Sequence, residues 1–197
     1  MGRYLIPIYL ILSGLLFFHA FIPLIVFEKE PEIPVFRESI QNRFRLGKRD
    51  LVPIPSLFSQ VADEFDLPME LLHAVASHES HYKPWAVNIS GRSYYPATRK
   101  RALEIIKKSG ARSYDIGLMQ VNSFWIEKFG LDVADAIIPD ENLRLGAWIL
   151  RYCFKRYGNN WKAVGAYHTG SPANLPEKAE VYARQIYKKY LIMKNKR

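Results

Sequence analysis

Glu79 occupies an unusual position for a carboxylate. Leu72, Val75, Ala76 and Glu79 recur at i, i+3, i+4 and i+7, so on a helix they share one face, and three of the four are apolar. Burial on such a face disfavours the carboxylate anion, and the negative end of the helix dipole near a C-terminus disfavours it further. Both effects raise the pKa, and a rise of about two units amounts to roughly 2.7 kcal/mol against the charged form. A carboxyl group still protonated near neutral pH is what glycosidic bond cleavage requires of its general acid. The bland alternative is a glutamate neutralised by an arginine.

The neighbouring histidines raise the question of a metal. His78-Glu79-Ser80-His81 is one residue short of the zinc motif H-E-x-x-H, and His73 and His81 are eight apart. Neither pair has the i, i+4 spacing that puts two ligands on one helix face, so no metal and no cofactor is expected. The single cysteine, Cys153, lies among Ile149, Leu150, Tyr152 and Phe154 and reads as a buried small apolar residue. Asp115 is a second carboxylate to weigh. It either orders a water for hydrolysis or caps the turn that leads to Gly117.

The elements that must position these residues are mainly helical. Ser56 is expected to cap a helix reaching about Phe65, and Asp66-Leu67-Pro68 to start the helix that carries Glu79. Val87, Ile89 and Tyr94-Tyr95 around Ser90-Gly91 predict a small β-hairpin. A basic helix from Arg99 to Ser109 follows, then a loop over residues 114–122. A short helix is expected from Ser123 to Phe129, and a long one capped by Asp140 and ending at Tyr157 before Gly158. Asn160 caps another, reaching about His168, and a last helix runs from about Pro176 to Tyr190.

Ahead of this domain, Leu5 to Phe27 is a run of 23 residues without a formal charge, about 34 Å long as a helix and enough to cross a hydrocarbon core. A signal anchor is favoured over a cleaved signal peptide, because the best cleavage site, after Ala20, is poor. Lys29, Arg37, Arg43 and Arg45 outnumber Arg3, so counting basic residues does not turn the domain outward. The expected divisions are an anchor over 1–27, a charged, proline-rich linker over 28–53, a catalytic domain over 54–191 and a basic tail over 192–197.

The composition, 49% hydrophobic and 24% charged, suits one compact domain. The net charge is +9, and residues 51–197 carry 21 Lys and Arg against 14 Asp and Glu. A basic surface favours a polyanion without naming it. Arg99-Lys100-Arg101 with Lys107-Lys108 superficially matches a phosphate-contacting helix. It comes with no helix-turn-helix or zinc signature, and charge runs of this length usually mark a solvated face, so nucleic acid is not expected.

Glu79-Ser80, Gly117-Leu118-Met119-Gln120-Val121-Asn122 and Ala166-Tyr167-His168-Thr169-Gly170 resemble the three signature blocks of the soluble-lytic-transglycosylase (SLT) family, related to goose-type lysozyme. Asn142-Leu143-Arg144-Leu145-Gly146 resembles that family's N-x-x-x-G stretch, and Tyr182 falls where it carries a late active-site tyrosine. The likeness covers about Ile54 to Tyr190, in the family's order. It implies a mainly α, α+β lysozyme-like fold with a small β-hairpin insert, preceded here by a hydrophobic helix.

It also implies roles. Glu79 would be the sole catalytic acid/base, and Ser80 would position it or the sugar. Gly117 and Met119 would shape the cleft floor, although Met119 and Gly146 are equally readable as packing residues. Gln120 and Asn122 would hydrogen-bond acetamido or hydroxyl groups. Tyr167 and Tyr182 would line the site, with one phenol directed at Glu79. The implied reaction cuts the bond from N-acetylmuramic acid to N-acetylglucosamine with acetamido assistance, the exception to the two-carboxylate rule, and closes a 1,6-anhydro ring without water. The alternatives are a lysozyme-like hydrolase of the same bond or a non-catalytic wall-binding module. The implied partners are peptidoglycan strands, the bacterial inner membrane through the anchor, with the domain in the periplasm, and an envelope-spanning secretion or conjugation apparatus.

Overall fold

The computed structural model describes residues 54–195; the expected anchor and linker lie outside these, as do the last two residues of the basic tail. The described chain begins with α1 (Ile54–Phe65) and α2 (Met69–Glu79). A small sheet follows, built from β1 (Val87–Ile89), β2 (Arg92–Tyr94), β3 (Tyr114–Ile116) and β4 (Val121–Asn122), with α3 (Arg99–Ser109) between its second and third strands. The remainder is helical: α4 (Ser123–Phe129), α5 (Val133–Ala136), α6 (Pro139–Tyr157), α7 (Trp161–Thr169) and α8 (Pro176–Lys194).

The predicted hairpin forms with Ser90-Gly91 at its tip, pairing Val87 with Tyr94 and Ile89 with Arg92. Residues 114–122, expected as loop throughout, contribute two further strands. The sheet is antiparallel in the order β2-β1-β3-β4, and Asp115 lies between Asn88 and Asn122 in register. Strands of two or three residues are too short to display alternation; β3 is recruited by pairing with β1, a long-range event, and β4 by pairing with β3.

Helix starts follow local chemistry where a side chain can reach the free amides of the first turn. Thr98 accepts from Arg101 N, Asn122 from Phe124 N, and Asn160 from Lys162 N and Ala163 N. The expected stops at Gly110, Gly130 and Gly158 hold. Ser56 does not cap α1, which begins two residues earlier. Asp140 does not cap α6 either: Pro139 occupies the first turn, where its missing N–H costs nothing, and the Asp140 carboxylate instead accepts from Arg144 Nε at 2.8 Å. The sequence reading missed the one-turn α5, capped by Asp132, and α8 extends to Lys194, past the expected end at Tyr190.

The core is organised around α6, which is buried without interruption from Glu141 to Arg151. Its Trp148 meets Phe129 of α4 edge-on at 4.9 Å and stacks on Tyr152. A helix buried on every side must satisfy its polar side chains internally. Arg144 does so by pairing with Glu64 of α1 as well as Asp140, and Arg151 lies 3.7 Å from Asp66. Cys153 is buried on the same helix, as expected, and burial pushes its thiol up to about 12. The pair α7 and α8 packs closely, because a Cβ on Gly165 would stand 2.5 Å from Ala179 O. That approach brings Tyr182 of α8 against the end of α2.

Candidate active site

Glu79 is the last residue of α2 and is followed at once by a tightly turned segment in which His81 and Tyr82 both take positive φ. The apolar face predicted for α2 is real: Leu72, Val75 and Ala76 are fully buried. The carboxylate sits at the edge of this core, where Tyr182 donates its hydroxyl to Oε1 at 2.5 Å. Burial is the largest influence on Glu79, and the nearby charge of Asp115 adds to it. The Tyr182 hydrogen bond opposes both, and the carboxyl is raised from 4.5 to about 7. The two effects expected from sequence were desolvation and the helix end; the structure adds a second carboxylate on β3. Among the described residues, no arginine is one of the groups acting on Glu79.

The remaining motif residues converge on one turn, residues 117–120. Gly117 enters it at φ +78°, a conformation costly for other residues, and its N–H donates to Ala86 O at 2.8 Å. A Cβ at this position would also fall 2.3 Å from Asn142 Cγ, so the close approach that Gly117 permits is to Asn142 of α6. Asn142 is wholly buried. Its Oδ1 accepts from Met119 N at 2.9 Å, and its Nδ2 donates to Ile116 O and Ala136 O at 3.0 and 3.1 Å. From α2, the buried Ser80 hydroxyl lies 2.8 Å from Leu118 O. From α7, Tyr167 donates to Met119 O at 2.7 Å. Two consecutive carbonyls are thus gripped from two helices, and the amide between them from a third.

The side chains of this turn then divide. Met119 is fully buried and packs where a Cβ on Gly146 would collide with it, so it shapes the turn from beneath. Gln120, at φ +45°, donates through Nε2 to Ala86 O and Gly117 O, at 3.2 and 3.0 Å. Both amide hydrogens are committed to the protein, which leaves Oε1 as the group with capacity for a ligand. Asn122 donates to Asp115 Oδ1 at 2.8 Å and caps α4 with its own oxygen. Asp115 is half-buried, and burial raises its carboxyl while the Asn122 hydrogen bond and the His168 charge lower it. Tyr167 and Tyr182 are both held well above the ordinary phenol range, chiefly by burial, so both remain hydrogen-bond donors.

Sequence reasoning gave Asn142 no role of its own, weighed His78 only as a metal ligand and gave His168 no role. The signal for Asn142 was present, as an uncharged amide beside the apolar Leu143, Leu145, Ala147 and Trp148 of α6. The histidines near Glu79 go separate ways: His73 stacks on Phe58 at 4.0 Å, His81 is exposed against Tyr95, and His78 meets Tyr182. Among the described residues, no group of three or more His, Cys, Asp or Glu is placed to hold a metal ion.

Comparison with known proteins gives a family and a fold. The model of the family described as "Transglycosylase SLT domain" matches residues 56–190. The chain is 32% identical over 139 residues to the invasion protein IagB of Salmonella typhimurium (strain SL1344), covering 68% of this chain and 75% of that protein. It is 30% identical over 136 residues to a peptidoglycan-binding-like protein of Escherichia coli O157:H7, covering 66% of this chain and 73% of that one. Among solved structures it resembles the lytic transglycosylase Slt of Pseudomonas aeruginosa, determined as an inactive mutant with glutamine in place of a glutamate. The TM-score is 0.50 at 19% identity, over 83% of this chain and 28% of that one. The likeness to that longer protein is one of fold.

Proposed function

The chain belongs to the transglycosylase SLT domain family and is by class a peptidoglycan lytic transglycosylase, and we propose that Glu79 alone serves it as both acid and base. The observation that carries this is the buried Glu79 carboxyl, raised to about 7 and bonded through Oε1 to the Tyr182 hydroxyl. Because Oε1 accepts from Tyr182, the proton of the neutral carboxyl resides on Oε2. That proton passes to the oxygen linking N-acetylmuramic acid to N-acetylglucosamine as the bond to the anomeric carbon breaks. The neighbouring acetamido group stabilises the positive charge that develops there. Tyr182 now donates to an anion, a stronger bond than the one it made to the neutral acid, so its contribution grows along the reaction coordinate. The Glu79 carboxylate then takes the proton of the muramic C6 hydroxyl as that oxygen closes the 1,6-anhydro ring. No water is consumed, and the carboxyl is restored to its protonated form.

Ser80, Gly117 and Met119 fix the cleft turn beside Glu79 in this reading. The Oε1 of Gln120 faces the acetamido and hydroxyl groups, Asn122 serves through its hold on Asp115 and the start of α4, and Tyr167 and Tyr182 wall the site. The substrate lies outside the inner membrane, so the domain works in the periplasm, held near the bilayer by residues 1–27. Similarity to a protein named for invasion supports a role in opening the wall for an envelope-spanning apparatus.

A second reading has one specific observation in its favour: Asp115 is close enough to Glu79 to raise its pKa, as a water-ordering carboxylate would be. Mass spectrometry of purified sacculi digested with the full chain separates the two readings. Anhydromuramyl products, lost in Glu79→Gln, are expected. Reducing-end products would replace the transglycosylase with a hydrolase, and no products from the unaltered chain would favour a wall-binding module.

A further inference from the structure

The mechanism leaves His168 without a task, although it sits within the motif 166–170 and one residue from Tyr167. Its imidazole lies flat against the Tyr182 ring, with centroids 4.7 Å apart and planes 6° from parallel. His78, the residue before Glu79, stands edge-on to the same ring at 5.2 Å and 86°. Tyr182 is thus contacted from α7 and from α2 while its backbone belongs to α8. The position of its hydroxyl depends on two side-chain torsions, and a ring packed on two sides has little freedom in either. His168 remains partly open to solvent, and one face of its ring is covered by Tyr182.

We propose that His168 is a positioning residue: its ring, stacked on Tyr182, holds the phenol in line with Glu79. The inference rests on the reading of Glu79 as the general acid. It requires the imidazole as a flat aromatic surface and not as a cation. The groups facing it fit that requirement. Burial, then Lys178 of α8, draws His168 below the ordinary histidine range, while Asp115 of β3 opposes them. His78 of α2 is lowered as well, chiefly by burial and then by Lys189, His168 and His81. Both shifts favour the neutral imidazole, and a phenylalanine ring should serve in place of His168.

The test is the pH dependence of anhydromuramyl release from sacculi by the full chain, His168→Ala and His168→Phe, with melting curves to establish that each is folded. The stack is worth a factor of roughly three to ten in the population of aligned phenol. His168→Ala should lower kcat by about that factor with KM little changed. Its alkaline limb should also move to higher pH, because the Tyr182 bond is what holds the Glu79 pKa down. His168→Phe should restore both. Rate and profile untouched by His168→Ala would overturn this inference alone. So would a raised KM at constant kcat, which marks a sugar contact, or a phenylalanine variant as impaired as the alanine one, which marks a role for the ring nitrogens. Absence of product from the unaltered chain would instead remove the transglycosylase reading, and this inference with it.

Discussion

Replacing Glu79 by glutamine should make the protein more stable above neutral pH and leave its stability in acid unchanged. Burial holds the native carboxyl at about 7, against 4.5 for an unperturbed group. Between those values the native state keeps a proton that the unfolded chain has released, so stability falls as pH rises through the window. Below about pH 4 both states are protonated and the group contributes nothing; above about pH 8 both are charged and the penalty is complete. The interval from 4.5 to about 7 corresponds to roughly 3 kcal/mol. Glutamine carries no charge at any pH and keeps an oxygen that can accept from Tyr182, so it removes the penalty and preserves the contact. The stability difference between variant and parent should be near zero at pH 4 and grow to roughly 3 kcal/mol at pH 8. For a domain of this size that is about 6–12 °C in Tm. Urea titrations of both proteins at the two pH values measure it, and taking the difference cancels the titrating groups that do not interact with Glu79. A variant no more stable than its parent at pH 8, or one equally stabilised at pH 4, would refute the argument that burial tunes this acid.

Tyr182→Phe removes a hydrogen bond to a charge-bearing partner, and kcat should fall roughly ten- to a hundredfold. The alkaline limb of its pH–rate profile should lie at higher pH, as followed by anhydromuramyl release. Asn142→Ala leaves Met119 N, Ile116 O and Ala136 O without their buried partner, and should destabilise by about 3–5 kcal/mol in urea denaturation. Asp115→Asn removes a charge that raises the Glu79 carboxyl, so the alkaline limb should move to lower pH. Mass spectrometry should still find anhydro ends in its digests, because the proposed ring closure uses no carboxylate but Glu79.

What was legible in the sequence was what neighbouring residues decide. The apolar face of α2 and its end at Glu79 follow from helical spacing, and the β1–β2 hairpin from Ser90-Gly91 between β-forming residues. Asn160 announced the start of α7 because a cap acts on amides two or three residues away. What escaped were contacts between residues far apart in the chain. Residues 114–116 are strand only because β1 lies beside them. Ser80 meets Leu118 O, and Tyr167 meets Met119 O, across 38 and 48 residues. No periodicity in either segment reports such a pairing. The spacing of the motif blocks signalled a shared site, yet it did not tell which polar atoms would be consumed in building that site.

That distinction changes how the motif is read. Ser80, Tyr167, Asn142 and the Nε2 of Gln120 all direct their hydrogen bonds into the protein, and all but two of those contacts fall on residues 116–120 or on Ala86, to which that turn is tied. The exceptions are the contact of Ser80 with Ala76 O in α2 and the bond from Asn142 to Ala136 O in α5. Asn122 likewise spends its amide on Asp115 and its oxygen on α4. A turn held by α2, α6, α7 and the start of the sheet has few ways to relax independently of Glu79. On the proposed mechanism these residues therefore act on the reaction chiefly through geometry, and their loss should appear in kcat. The atoms left with capacity for a glycan are fewer: the Oε2 of Glu79, which delivers the proton, and the Oε1 of Gln120. Substitutions that spare the turn but remove the latter are the ones that should appear in KM, because only there is binding lost without displacing the acid from the bond it must break.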